Sequence, residues 1–242
     1  YGKIVSTVIS STILALSCIS LSDRERFVDN SRFLLLIFIY SGFWVLYFQM
    51  FDSVLWYVKD YVDASALDRT INSFLGWFGM DIQWKFDVEH VTVINAGTII
   101  LLQLLVSSLV KNTKALPTMI CGILFATIGM AILSLSTSIW IFIIGIIIFS
   151  IGEMTAHPKF ISYIGQTAPR DRVATFMGYI FLYGVIGSSI GSILGANLYV
   201  YFVDQLHQPR VLWLIFSGIG VATILGLIIY NRLCKPREQA AE

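Results

Sequence analysis

Glu153 and His157 are the residues of this chain best suited to handling a proton. They stand four apart in an almost continuously apolar stretch, just before Pro158. On a helix that spacing puts both side chains on one face, and the proline lacks an N–H, which frees the carbonyl of Met154. A carboxylate and an imidazole in mutual reach can pass a proton, so Glu153 can protonate in one conformation and ionise in another. The alternative is a structural pair near a water boundary, with Lys159 snorkelling beside it.

Other polar side chains also sit among apolar neighbours. Gln49, Asp52, Ser53 and Trp56 recur at offsets of three, four and seven, which predicts one helical face looking into a cavity. Asp52 on that face is either a proton site or a hydrated carboxylate near the membrane edge. Asn95 and Gln103 are neutral amides able to bond a solute or a facing helix. Gly187, Gly191 and Gly195, with Gly184 before them, form a stripe that lets a neighbouring backbone approach closely. That stripe speaks of helix packing and says nothing about substrate.

The elements that position these residues follow from composition. The 242 residues are 57% hydrophobic and only 13% charged, whereas about a quarter of an ordinary globular chain is charged. Six runs reach the length of about 20 residues that a helix needs to span a bilayer: Phe33 to Trp56, Val91 to Val110, Leu116 to Leu135, Ile139 to Ile164, Val173 to Phe202 and Leu212 to Tyr230. Stretches such as Ile139 to Ile151 lack the alternation of a transmembrane β-strand, which excludes a barrel. The fold class is an all-α membrane protein of six transmembrane helices.

Ile4 to Leu21 is long enough to span but holds seven Ser or Thr. It reads as an interfacial helix or linker over residues 1–32, ahead of a bundle over 33–230 and a tail over 231–242. Opening at Tyr1, the sequence reads as a piece of a longer protein. Lys3, Arg24, Arg26, Arg32, Lys111, Lys114, Lys159, Arg170, Arg172, Arg232, Lys235 and Arg237 fall on one side, against Lys59, Arg69, Lys85 and Arg210 on the other. The excess of basic residues makes both termini cytoplasmic, in a plasma or inner membrane. The loop after Tyr57, with Phe74, Trp77, Phe78 and Trp84 among six acids, is an outer lid or an interfacial hairpin with an aromatic anchor.

Net charge is +1, too weak a field to recruit nucleic acid. Cys18, Cys121 and Cys234 lack metal-ligand spacing, and no nucleotide loop or nucleophile elbow is present, so neither cofactor nor enzyme chemistry is expected. His90 and His207 lie at the opposite boundary from His157, too far away to share a metal with it and Glu153.

Several short segments carry a resemblance. Phe43-Trp44-Val45-Leu46-Tyr47-Phe48-Gln49, Ile94-Asn95, Gly152-Glu153 with Pro158, and Ala168-Pro169 followed by Met177-Gly178 resemble the C-terminal half of a major facilitator superfamily transporter. More narrowly, they are similar to the proton-coupled oligopeptide branch. The resemblance implies that Glu153 faces the amino group of a bound peptide and that Asn95 and Gln49 line the same cavity. It also implies that Phe48 stands where the family usually has an acid, and Ile180 where it has a Trp. Asp52 or His157 would then be a secondary proton site beside Glu153. The expected partners are the bilayer, a small solute or peptide, protons, and an N-terminal six-helix half or second bundle. The alternative class is a membrane-embedded assembly subunit whose polar residues only join helices.

Overall fold

The computed structural model describes Thr7, Ser11, Leu14, Cys18 and residues 27–234. The expectation of an interfacial helix over 1–32 falls largely outside these residues, as does the tail beyond Cys234. Nine α-helices are described: α1 Phe27–Gln49, α2 Ser53–Tyr61, α3 Ser65–Trp77, α4 Glu89–Val110, α5 Ala115–Leu133, α6 Ile139–Thr167, α7 Val173–Tyr179, α8 Leu182–Leu198 and α9 Pro209–Leu233. Grouped by continuity they make six membrane-length spans, of which α1 with α2 is the first and α7 with α8 is the fifth. Pro117 lies in the first turn of α5 and Pro209 opens α9, positions where the missing N–H has no intrahelical acceptor to lose.

Two spans that read as continuous helices are interrupted. In the first, the turn over Met50–Asp52 tightens, with Met50 N–H donating to Tyr47 O and Phe51 N–H to Phe48 O. In the fifth, the chain turns at Ile180 and Phe181 between α7 and α8, and α8 runs into a π-helical segment, Tyr199–Gln205. Neither interruption contains proline or glycine, so tertiary packing overrides local helix preference at both.

The bundle is held by small residues. α5 and α6 pack most extensively because glycines let their backbones touch. A Cβ on Gly152 would stand 2.5 Å from Ala126 N and Gly122 O, and one on Gly122 would stand 2.6 Å from Ala156 N. Gly129 and Gly145 repeat the arrangement two turns away. α9 bridges α5 and α1 by seating threonines in glycine notches, Thr127 against Gly220 and Thr223 against Gly42. Each hydroxyl is satisfied within its own helix, Thr127 on Ile123 O at 2.8 Å and Thr223 on Ile219 O at 2.9 Å. With lipid as solvent there is little hydrophobic drive between helices, so this close packing supplies the cohesion. α4 is the exception: it contacts α6, but Ile100, Leu101 and Leu104 are 77%, 79% and 84% exposed.

Between α2 and α4 the chain forms a hairpin outside the spans. Asp63 pairs with Ser138 at the base. The backbone N–H of Ser65 donates to the Asp63 carboxylate and holds its pKa below the ordinary value. At the far end of α3 the chain reverses through Gly79 at φ 72°. Met80 N–H bonds Leu75 O and Gly79 N–H bonds Gly76 O, the paired closure of a helix that ends on a left-handed glycine.

Candidate functional site

Glu153 sits midway along α6, half-buried, with the buried Asn95 of α4 opposite. Asn95 Nδ2 donates to Glu153 Oε2 at 3.3 Å and to Ser150 Oγ at 2.8 Å, and Ser150 Oγ donates to Ile146 O at 2.8 Å. The amide therefore ties α4 to α6 and orients the carboxylate at once. Two residues taken separately from the sequence, in spans two and four, come together here.

One turn further along α6, His157 meets aromatic rings from two other helices. Its ring lies 5.5 Å from Trp44 of α1 and 5.7 Å from Tyr183 of α8, edge-on to both. Trp44 and Tyr183 stack at 4.6 Å, and Tyr47 lies 4.6 Å from Trp44. Tyr40 stacks on Phe160 at 3.8 Å and meets Tyr183 edge-on at 5.4 Å. Spans one, four and five thus converge on an aromatic junction beside the carboxylate. Among the described residues, Tyr40 Oη, Trp44 Nε1 and His157 Nδ1 are buried without a hydrogen-bond partner. Groups of this kind are uncommon in folded proteins, because a buried donor or acceptor left unpaired costs about 1–3 kcal/mol.

The first span departs from expectation. Gln49 does not line a cavity: it is fully buried, and its Nε2 donates to Gly191 O at 3.0 Å and to Val45 O at 3.3 Å. Its Oε1 accepts from Ser53 Oγ at 2.6 Å. The expected face from Gln49 to Trp56 is not one cavity lining, although Gln49 and Ser53 stay hydrogen-bonded across the turn at Met50–Asp52. Gln49 and Ser53 are buried while Trp56 is 65% exposed. Asp52 accepts from Ser192 Oγ of α8 at 3.4 Å. It lies eight residues beyond Trp44, about 12 Å of helical rise from the aromatic junction, and joins α8 rather than Glu153.

The glycine stripe of α8 faces α1. A Cβ on Gly187 would meet Ser41 O at 3.0 Å, one on Gly191 would meet Val45 Cα at 3.4 Å, and one on Gly195 would meet the Gln49 carboxamide at 3.1 Å. Gly184, the fourth glycine of the pattern, has nothing within 4 Å. Gln103 bonds Ser107 Oγ on its own helix at 3.1 Å.

Lys159 has a role that sequence reading missed. The residue is buried, and its ammonium donates to Thr113 O at 2.9 Å and Lys111 O at 3.5 Å, which caps the carbonyl end of α4 where a cation is favoured. α4 is therefore fastened to α6 by polar contacts toward both ends, Asn95 at one and Lys159 at the other. The aromatic junction was also missed as a site. Its signal was visible as Tyr40, Trp44 and Tyr47 at helical spacing in one span, although nothing local pointed to Tyr183.

A cavity of about 570 Å³ lies elsewhere, in the hairpin, between Lys59, Asp63, Asp68, Lys85 and Asp87. Its acids are occupied by backbone: Ser65 N–H donates to Asp63, Phe86 N–H to Asp68 and Val88 N–H to Asp87.

Fold and site together define a multi-pass, six-span helical membrane protein with a hydrogen-bonded polar cluster between its helices. The Major Facilitator Superfamily matches residues 33–242, and the chain belongs to that family. No curated protein matches the chain. Among solved structures it is similar to the peptide transporter POT in complex with sulfate, at 17% identity and TM-score 0.68, covering 96% of this chain and 45% of that one. A mutant peptide transporter POT, also with sulfate, gives 14% identity and TM-score 0.70 over 96% and 45%. A POT family transporter in complex with a thioalcohol-conjugated peptide gives 17% and 0.64, over 96% and 47%. The chain therefore spans less than half the length of the transporters it matches, and the likeness establishes the fold.

Proposed function

We propose that this chain forms the C-terminal half of a secondary active transporter that carries short peptides or similar small solutes together with protons. The carrying observation is the half-buried carboxylate of Glu153, held by Asn95 across two spans and bordered by the aromatic junction. A carboxylate at membrane depth costs about 3 kcal/mol on insertion scales, and that cost is supportable where a cationic solute or a proton can reach the group. Glu153 is the acid that meets the solute's cationic end and the proton-coupling residue, with Asn95 as its orienting amide. Tyr40, Trp44 and His157 supply further polar atoms to the same solute. His157 is the nearer secondary proton site and Asp52 the more distant one.

The likeness of the fold to peptide transporters supports the solute class, and the share of their length that it covers supports a partner half. Alternating access requires two bundles that rock about a shared midplane site. The exposed apolar face of α4 is where the second bundle docks in this reading. The positive-inside count supports cytoplasmic termini and residues 1–32 as the connection between halves.

The test is proton-driven uptake of dipeptides by the complete transporter in liposomes. Glu153→Gln abolishes the dependence of uptake on the pH gradient; unchanged gradient-driven uptake refutes the assignment. The interhelical use of Asn95 and Gln49 favours one rival, an assembly subunit without transport. That reading predicts a stable complex with other membrane proteins and no thermal shift on adding peptides.

A further inference from the structure

The hairpin between α2 and α4 carries an exposed apolar tip. Phe74, Trp77, Phe78, Met80 and Ile82 are 57%, 83%, 63%, 41% and 55% exposed. Phe74 and Trp77 pack on Phe78, with ring centroids 5.0 and 5.8 Å apart. Unlike the exposed side chains of the spans, these lie outside any membrane-length helix.

The tip is held rigidly. Asn72 of α3 clamps the returning strand of chain, its Nδ2 donating to Trp84 O at 2.8 Å and its Oδ1 accepting from Trp84 N–H at 2.7 Å. Asp68, one turn earlier, accepts from Phe86 N–H at 2.8 Å. Two side chains thus replace a strand partner and fix residues 84–86 along the helix. The glycine-closed end of α3 then points its aromatic residues away from the clamped face. The base is fixed as well, since Leu67 is buried and Asp63 pairs with Ser138 in the connection between α5 and α6.

Because the base is tied to the ends of four spans, α3 starts at the membrane boundary. It runs for about 20 Å, at 1.5 Å per residue. One side of the hairpin is the charged cavity with Lys59 and Lys85, and the other is the aromatic tip. A side rich in tryptophan and phenylalanine opposite a charged side, here Lys59 and Lys85 with Asp63, Asp68 and Asp87, is the pattern of a segment that lies in the headgroup layer.

We propose that this hairpin is an interfacial anchor whose Phe74–Ile82 tip inserts into the headgroup and upper acyl region of the leaflet opposite the chain termini. α3 lies along the surface, and the clamps at Asn72 and Asp68 prevent the tip from folding back over the bundle. The anchor ties the outer end of the first span, beyond its turn at Met50–Asp52, to the lipid surface.

The experiment is depth measurement by spin-label power saturation on the full chain in vesicles of phosphatidylcholine with phosphatidylglycerol. Cys18, Cys121 and Cys234 are replaced by Ser and a nitroxide is placed by Gly76→Cys, where a side chain meets no atom within 4 Å. A second label at the exposed Ser73, by Ser73→Cys, guards against failure of the first. Collisions with oxygen should exceed those with a water-soluble nickel chelate. Trp77→Ser with Phe78→Ser should reverse that order several-fold. Dominance of the nickel chelate in the unsubstituted tip would place it in water, and shielding from both reagents would place it against protein as a lid or inter-bundle contact. Either result overturns the proposal.

Discussion

Gly195→Ala isolates what the seam between α1 and α8 depends on. The added methyl falls on the carboxamide of Gln49, with Cδ and Nε2 at 3.1 Å and Oε1 closer still. Gln49 has little freedom to move. It is fully buried, and its carboxamide is committed to Gly191 O at 3.0 Å, Val45 O at 3.3 Å and Ser53 Oγ at 2.6 Å. Either the carboxamide gives up those bonds or α8 moves outward along its length. Overpacking costs about 1–3 kcal/mol, and each lost interhelical bond adds about 0.6 kcal/mol. A total near 2–3 kcal/mol should lower the melting temperature by roughly 4–12 °C for a chain of this size.

The obstacle is one side chain, so removing it should remove the penalty. In a Gln49→Ala background Gly195→Ala should be close to neutral, or slightly stabilising through the helix preference of alanine over glycine of about 1 kcal/mol. Gly187→Ala is the control: there the methyl meets Ser41 O at 3.0 Å and Trp44 C at 3.1 Å. These are backbone atoms that Gln49→Ala does not displace, so its cost should persist. The assay is thermal unfolding in detergent of the parent, the single variants and the two doubles, followed by tryptophan emission. Equal losses for Gly195→Ala in both backgrounds would refute the reasoning.

Further outcomes follow from the same geometry. Lys159→Met should destabilise the bundle by about 1.5–3 kcal/mol, the worth of hydrogen bonds made by a charged group, and should raise hydrogen exchange at the end of α4, while Lys159→Arg should recover part of the loss. His157→Phe should keep the edge-on contacts with Trp44 and Tyr183 and remove the unpaired Nδ1. Its melting temperature should hold or rise, whereas a fall would mean that Nδ1 has a partner in the membrane. Asn72→Ala should speed amide exchange at Trp84 and leave the global melting transition in place.

The six spans were legible because bilayer thickness imposes a length on each apolar run, and no neighbour has to be known to apply that rule. The two interruptions were not legible. Phe48, Met50 and Phe51 in the first span, and Ile180 with Phe181 in the fifth, carry no proline or glycine, so the backbone bends there for reasons that lie in the facing helix. Gln49 shows the same limit. Its type and position read as cavity lining, and its bond to α8 depends on the approach of Gly191, which the sequence does not show. Glu153 was legible as a costly residue at membrane depth, and Asn95 as an amide able to bond a solute or a facing helix. Their hydrogen bond was not, because it depends on the lateral placement of α4 against α6. Lys159 looked like a snorkelling side chain, and its placement follows from carbonyls of the turn that ends α4.

The helices are joined by two kinds of seam, and the contrast bears on motion. α5 and α6 are locked by reciprocal glycine contacts in which backbone meets backbone, an interface that cannot slide by a residue without collision. α1 and α8 meet through a one-sided stripe, with larger side chains of α1 lying over glycines of α8, and both helices are interrupted near that seam. Displacing an interrupted helix at its turn disturbs fewer hydrogen bonds than bending an intact one. Bundle movement should therefore concentrate in α1, α2, α7 and α8 while α5 and α6 act as the frame. The carboxylate of Glu153 stands on the frame and Trp44 and Tyr183 stand on the movable pair, so any opening of the seam changes the surroundings of Glu153 without shifting the residue itself.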